Sequence, residues 1–174
     1  MLIKLNQAQL NKCVELAQAR HNAKNASFRN SKVSEFHNEA KADLSLGVGI
    51  DSEYMPHFIG LLGEMAWSIH SGLPVDEEIY AVRDGGQDFD GIEVKTITYF
   101  GKDEPELKIP VKEYVKRNEI KTYVLVRVDV KRPQNVEILG TISREDFDDL
   151  KVEKKYGRYK PTNYTVPVSK MEPV

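Results

Sequence analysis

The stretch Asp88-Phe89-Asp90-Gly91-Ile92-Glu93-Val94-Lys95-Thr96 concentrates acids and a lysine in one short segment. Asp90-Gly91 is a strong signal for a two-residue type I′ hairpin, whose turn positions both need positive φ. Such a turn pairs Phe89 with Ile92 and sets Asp88 opposite Glu93, and directly paired residues project from one face. Lys95, two residues beyond Glu93, joins that face, while Phe89, Ile92 and Val94 point to the other. Two carboxylates and an ammonium gathered in this way suit phosphodiester hydrolysis. A hard divalent cation such as Mg²⁺ takes one or two carboxylates and completes its shell with water and phosphate. The bound ion polarises a phosphoryl oxygen and lowers the pKa of an attacking water. A lysine beside it positions that water and offsets charge gathering on the phosphate. Acid–base chemistry alone does not require this trio.

Upstream, Gly63-Glu64-Met65-Ala66 falls in the clearest helical pattern of the chain. Gly60, Glu64 and Ser68 recur at i, i+4 beside the apolar stripe, and the small residues above and below Glu64 leave room for a metal or a backbone phosphate. Taken alone, Glu64 reads equally well as a solvated helix flank.

With these motifs in place, the sequence resembles the PD-(D/E)XK nuclease superfamily, which includes restriction enzymes, phage exonucleases and Holliday-junction resolvases. Glu93-Val94-Lys95 matches the Glu-x-Lys half of its motif, Asp88 the upstream aspartate, and Gly63-Glu64-Met65-Ala66 the Gly-Glu-x-Ala helix that precedes the strands in several member families. The resemblance covers residues 57–142. It implies an α/β restriction-endonuclease-like core, a central mixed sheet flanked by helices, with extra N-terminal helices. It also implies a Mg²⁺-dependent endo- or exodeoxyribonuclease, with Mn²⁺ as a substitute ion, DNA as partner and the homodimer as a common assembly. Asp88 and Glu93 would be direct ligands, Glu64 a further ligand directly or through water, and Lys95 the water-positioning base. The aspartate lacks the preceding proline, and its separation from Glu93 is short. Asp84 stands at a more usual separation and is the alternative ligand; Asp90 is weaker because the turn uses it.

Basic residues supply candidate phosphate contacts. Lys112, Lys116 and Arg117 form one cluster with Lys121; Lys154, Lys155, Arg158 and Lys160 form another, interleaved with Tyr156 and Tyr159. Such stretches grip phosphates and stack on bases, or are simply solvated faces, the second cluster as a basic hairpin. The net charge of -2, from 25 basic and 27 acidic residues, argues against a protein that coats DNA by bulk charge. It also motivates a competing reading: a catalytically inactive nuclease-fold module that binds nucleic acid or a protein partner. A third is a structural protein whose acidic pair caps a hairpin. His21, His37, His57 and His70 lack metal-site spacing, and no phosphate-binding loop or dinucleotide fingerprint is present.

Asn6 caps a first helix with Leu10, Cys13, Val14 and Ala17 inward. A polar helical stretch from Lys24 to Leu44 follows, then a helix led by Pro56 and stopped by Gly72. Ile79–Val82 reads as a short strand, Asp88–Ile97 as a hairpin and strand, and Val111–Glu119 as a short helix. Thr122–Val130 and Val136–Ile142 are strands, and Ser143 caps a helix through Leu150. The arrangement predicts one domain over 1–174: a helical region at 1–50, a core at 57–142 and a basic extended segment at 151–174. With 174 residues, 40% hydrophobic and 30% charged, the chain is long enough for a proper core. No apolar run suits a membrane, and the single Cys13 cannot form an internal disulfide, so a cytoplasmic, reducing setting is expected.

Overall fold

A computed structural model describes residues 1–28, 53–79, 87–98, 101–157 and 161–174, the last residues of the first segment by backbone alone. Strand β1 (Leu2–Lys4) leads into helix α1 (Gln7–Phe28). Asn6 caps α1 as expected, its Oδ1 accepting from Gln9 N at 3.0 Å, and Leu10, Cys13 and Ala17 are buried. The helix runs further than its apolar stripe suggests: Lys24–Phe28 continue it instead of starting a second helix, and 29–52 lie outside the described residues. Helix α2 (Met55–Ser71) has Pro56 in its first turn and Gly72 as left-handed stop at φ 76°. Ile79 is irregular, and the remainder of the strand expected at Ile79–Val82 falls outside the described residues, as does Asp84.

The Asp90-Gly91 turn forms. Phe89 and Ile92 exchange both backbone hydrogen bonds, at 3.1 and 2.9 Å, and Gly91 takes φ 72°. Strand β2 (Ile92–Ile97) follows, then β3 (Glu106–Pro110), α3 (Val111–Lys116), β4 (Thr122–Val128) and β5 (Asn135–Ser143). Helix α4 (Arg144–Leu150) is capped by Ser143 Oγ, which accepts from Asp146 N. Strands β6 (Val152–Lys155) and β7 (Thr162–Pro167) and a short 3-10 turn (Val168–Lys170) complete the chain.

A mixed sheet runs β1-β5-β4-β2, with β2 parallel to β4 and the other pairs antiparallel; a second, antiparallel sheet runs β3-β7-β6. Strand β4 serves two cores. Val124, Val126 and Val128 pack under α1 and α2 with Leu61, Leu62 and Phe58. Tyr123 and Leu125 face the second sheet and α4, among Leu107, Ile109, Phe147 and Val166. A register shift between Leu125 and Val126, with Leu139 the extra residue, lets β5 change face: Val136 and Ile138 join the first core and Ile142 the second. The molecule is thus mixed α/β, with helices outside both sheets. Among the described residues no helix is long and apolar enough to cross a membrane.

Candidate active site

The hairpin and β2 fix Glu93 and Lys95. In the parallel pairing Glu93 stands beside Tyr123 and Lys95 beside Leu125, so both acid and lysine project to the face of the second core. Val94 projects to the first core, under α2. Gly91 ties the turn to β4, its carbonyl accepting from Lys121 N and Thr122 N. Lys95 Nζ donates to Glu93 Oε1 at 2.7 Å, realising the expected grouping of these two. Glu93 is only 5% exposed, and its Oε2 is buried with no hydrogen-bond donor among the described residues.

Asp88 takes a different direction from the one its pairing suggests. Its Oδ2 accepts from Val94 N at 2.7 Å, on the outer edge of β2 where Ile92 makes its hairpin bonds. The carboxylate therefore satisfies an edge donor instead of lying on the face of Glu93 and Lys95. It still senses the other acids: burial first, then the charges of Glu64 and Glu93, push its pKa well above the usual aspartate range, against the Val94 N–H and Lys95.

Glu64 is not a solvated flank. It is 7% exposed, and Arg20 of α1 reaches both its oxygens, at 3.3 and 3.4 Å, while its other terminal nitrogen donates to Asp76 O at 2.7 Å. The room expected around Glu64 for a metal or phosphate thus holds a guanidinium. Burial raises the Glu64 pKa, opposed by Arg20 and aided by Asp76 and Glu93. Glu64 and Glu93 come from opposite faces of the sheet, with Asp88 at its edge. Among the described residues no group of three or more His, Cys, Asp or Glu side chains is assembled to hold a metal ion, so the expected four-residue convergence around one ion is not formed in this arrangement.

Arg117, counted among the phosphate contacts, instead donates to Glu93 Oε1 at 2.7 Å. Lys112 and Lys116 are exposed on α3. Lys154 pairs with Glu106, Lys155 is exposed on β6, and Arg158 and Lys160 lie outside the described residues. The structural alternative for this stretch, a solvated basic hairpin, matches β6 paired with β7. Sequence reasoning missed Arg20 and Glu113. Arg20 continues the spacing Leu10, Cys13, Ala17 and so lies on the inward stripe of α1; Glu113 stands one turn before Arg117 and pairs with Lys95 at 3.4 Å. Cys13 is packing, as expected: burial pushes its pKa up to about 12, and its Sγ contacts Leu61 O at 3.6 Å. Compared with family models, curated proteins and solved structures, the chain finds no match.

Proposed function

We propose that this protein is a divalent-metal-dependent phosphodiesterase acting on DNA, built on a restriction-endonuclease-like core. The observation that carries the reading is Lys95 bonded to Glu93 beside an orphaned, buried Glu93 oxygen, one hairpin away from an aspartate that resists ionisation. The donor chemistry suits Mg²⁺ or Mn²⁺. Asp88 and Glu93 offer hard oxygens, two carboxylates are enough for such an ion, and an unpaired buried carboxylate oxygen favours a cation. When bound, the ion supplies Lewis acidity and an activated water. To hold it, Glu93 and Asp88 would have to turn toward each other from the strand face and the strand edge; Lys95, kept cationic because Glu93 and Glu113 outweigh the effect of its burial, would orient the water and neutralise charge on the phosphate. Glu64, held by Arg20, tunes the field at Asp88.

Glu93→Ala and Lys95→Ala are each expected to reduce cleavage of duplex or single-stranded DNA in Mg²⁺ at least about a hundredfold, with circular dichroism unchanged. Full-rate cleavage by either variant contradicts the assignment. The ion pairs Arg20–Glu64 and Arg117–Glu93 favour a second reading, a nuclease-fold module that binds nucleic acid or protein without cutting. That reading predicts DNA or protein affinity without metal uptake.

A further inference from the structure

Beyond Lys95, strand β2 ends against a cleft of about 480 Å³ that the proposed hydrolysis leaves unused. Ile97 lies two residues past Lys95 on the same face of β2 and forms part of the lining. Pro105 and Tyr156 add apolar walls, and Asp103, Glu104, Glu106 and Lys108 supply polar groups. Tyr156 is fixed in place. Its hydroxyl donates to Glu106 Oε2 at 2.6 Å, and Lys108 Nζ stands 4.2 Å from its ring centroid. Two of the carboxylates serve the protein's own donors: Glu106 also pairs with Lys154, and Glu104 accepts from Ser169 N at 2.6 Å. Lys108 Nζ is 4.0 Å from Glu106 Oε2, beyond hydrogen-bond reach, so its donors are left for another partner.

We propose that this cleft receives one unpaired nucleobase of the substrate, next to the phosphodiester at Lys95. The inference rests on the reading of the protein as acting on DNA and adds to it a subsite for a base. Charge argues against the simpler occupants. An organic cation would seek the face of Tyr156, but the Lys108 ammonium already occupies one face and repels a second positive charge. A free anion meets three carboxylates against one lysine. A neutral flat ring carrying both donors and acceptors meets neither obstacle. Adenine, cytosine and guanine each present an amino group near a ring nitrogen or carbonyl, the amino group suited to a carboxylate and the acceptor to Lys108. Thymine has no amino group, and two carbonyls flank its single donor, so carboxylates repel it. The position agrees. Two residues of strand span about 7 Å, so a chain whose phosphate lies at Lys95 brings a neighbouring base to Ile97. Pockets for extruded bases use this combination of apolar and aromatic walls with polar groups for the base edge.

The test is titration of the full chain, in chelator, with deoxycytidine, deoxyadenosine and thymidine by saturation-transfer NMR, with choline as the cationic probe. Deoxycytidine and deoxyadenosine are expected to bind at least about tenfold more tightly than thymidine. Lys108→Gln and Tyr156→Leu are each expected to weaken that binding about tenfold. Lys131→Gln, at an exposed lysine in the β4–β5 turn, is expected to leave it unchanged. Circular dichroism checks that each variant is folded; should Tyr156→Leu lose the β6–β7 hairpin, Lys108→Gln decides alone. Binding of choline in place of the nucleosides, equal binding of thymidine, or full affinity in Lys108→Gln overturns the proposal. A native chain that takes up no nucleoside yet cleaves DNA in Mg²⁺ also overturns it and leaves the phosphodiesterase standing. Nucleoside uptake with the expected selectivity, by a chain that cleaves nothing, supports the base site and removes hydrolysis instead.

Discussion

The central tension at the residue scale is between carboxylates that repel one another and the cations placed to hold them. Asp88 shows its consequence for stability. Burial and the charges of Glu64 and Glu93 raise its pKa in the folded chain, so the folded state binds the proton more firmly than the unfolded one. Between the ordinary aspartate pKa and the raised one, stability falls as pH rises, and above that window the penalty is complete. Asp88→Asn removes the charge and keeps an oxygen for Val94 N. It is expected to raise the melting temperature by a few degrees at about pH 8, the gain fading toward about pH 4; a lowered melting temperature at both would show that the carboxylate is a net support. The hairpin and the Glu93–Lys95 pair were legible in the sequence because they are local: Asp90-Gly91 dictates the turn, and a spacing of two dictates the shared face. The direction of Asp88 was not, since a free N–H on the edge of β2 competes for its carboxylate. The arginines holding Glu64 and Glu93 come from elsewhere in the chain, and nothing in the Gly-Glu-x-Ala or Glu-x-Lys spacing announces them.

Elements were legible where capping and periodicity act within a few residues. Asn6, Pro56, Gly72 and Ser143 all mark helix ends where the sequence places them. Strands β1 and β3 escaped notice because both are short, and their partners, β5 and β7, are remote in the chain. The contact between α2 and β2 decides the site's geometry. A Cβ on Gly63 would stand 2.0 Å from Thr96 Oγ1 and 3.4 Å from Val94 Cγ1. Thr96 is stiff and β-branched, so the helix itself would have to retreat. Overpacking outweighs the gain in helix propensity, and Gly63→Ala is expected to cost about 1–2 kcal/mol in urea denaturation, with reduced DNA cleavage because neighbouring Glu64 shifts too. Native stability in that variant would mean that α2 and β2 are packed less tightly than described.

For the whole molecule, β4 lies between two cores and couples them. Phe147 is fully buried in the second core, while Trp67, the chain's lone tryptophan, reports on the first. Phe147→Ala is expected to cost about 3–5 kcal/mol and to move the Trp67 fluorescence and far-ultraviolet dichroism midpoints together; an unmoved Trp67 midpoint would show that the two faces unfold independently. The alternation along β4, valines on one side and Tyr123, Leu125 and Arg127 on the other, marks the strand, while its burial on both faces emerges only from the fold. What covers the second face was not legible, since β3, β6 and β7 gather from separated stretches. DNA hydrolysis is the central claim to be tested. Labelled DNA and RNA substrates, duplex, junction, flap and single strand, should be incubated with the native chain in Mg²⁺, in Mn²⁺ and in chelator. Cleavage of DNA with either ion and none in chelator is the predicted result; intact substrates under every condition, from a folded protein, would contradict it.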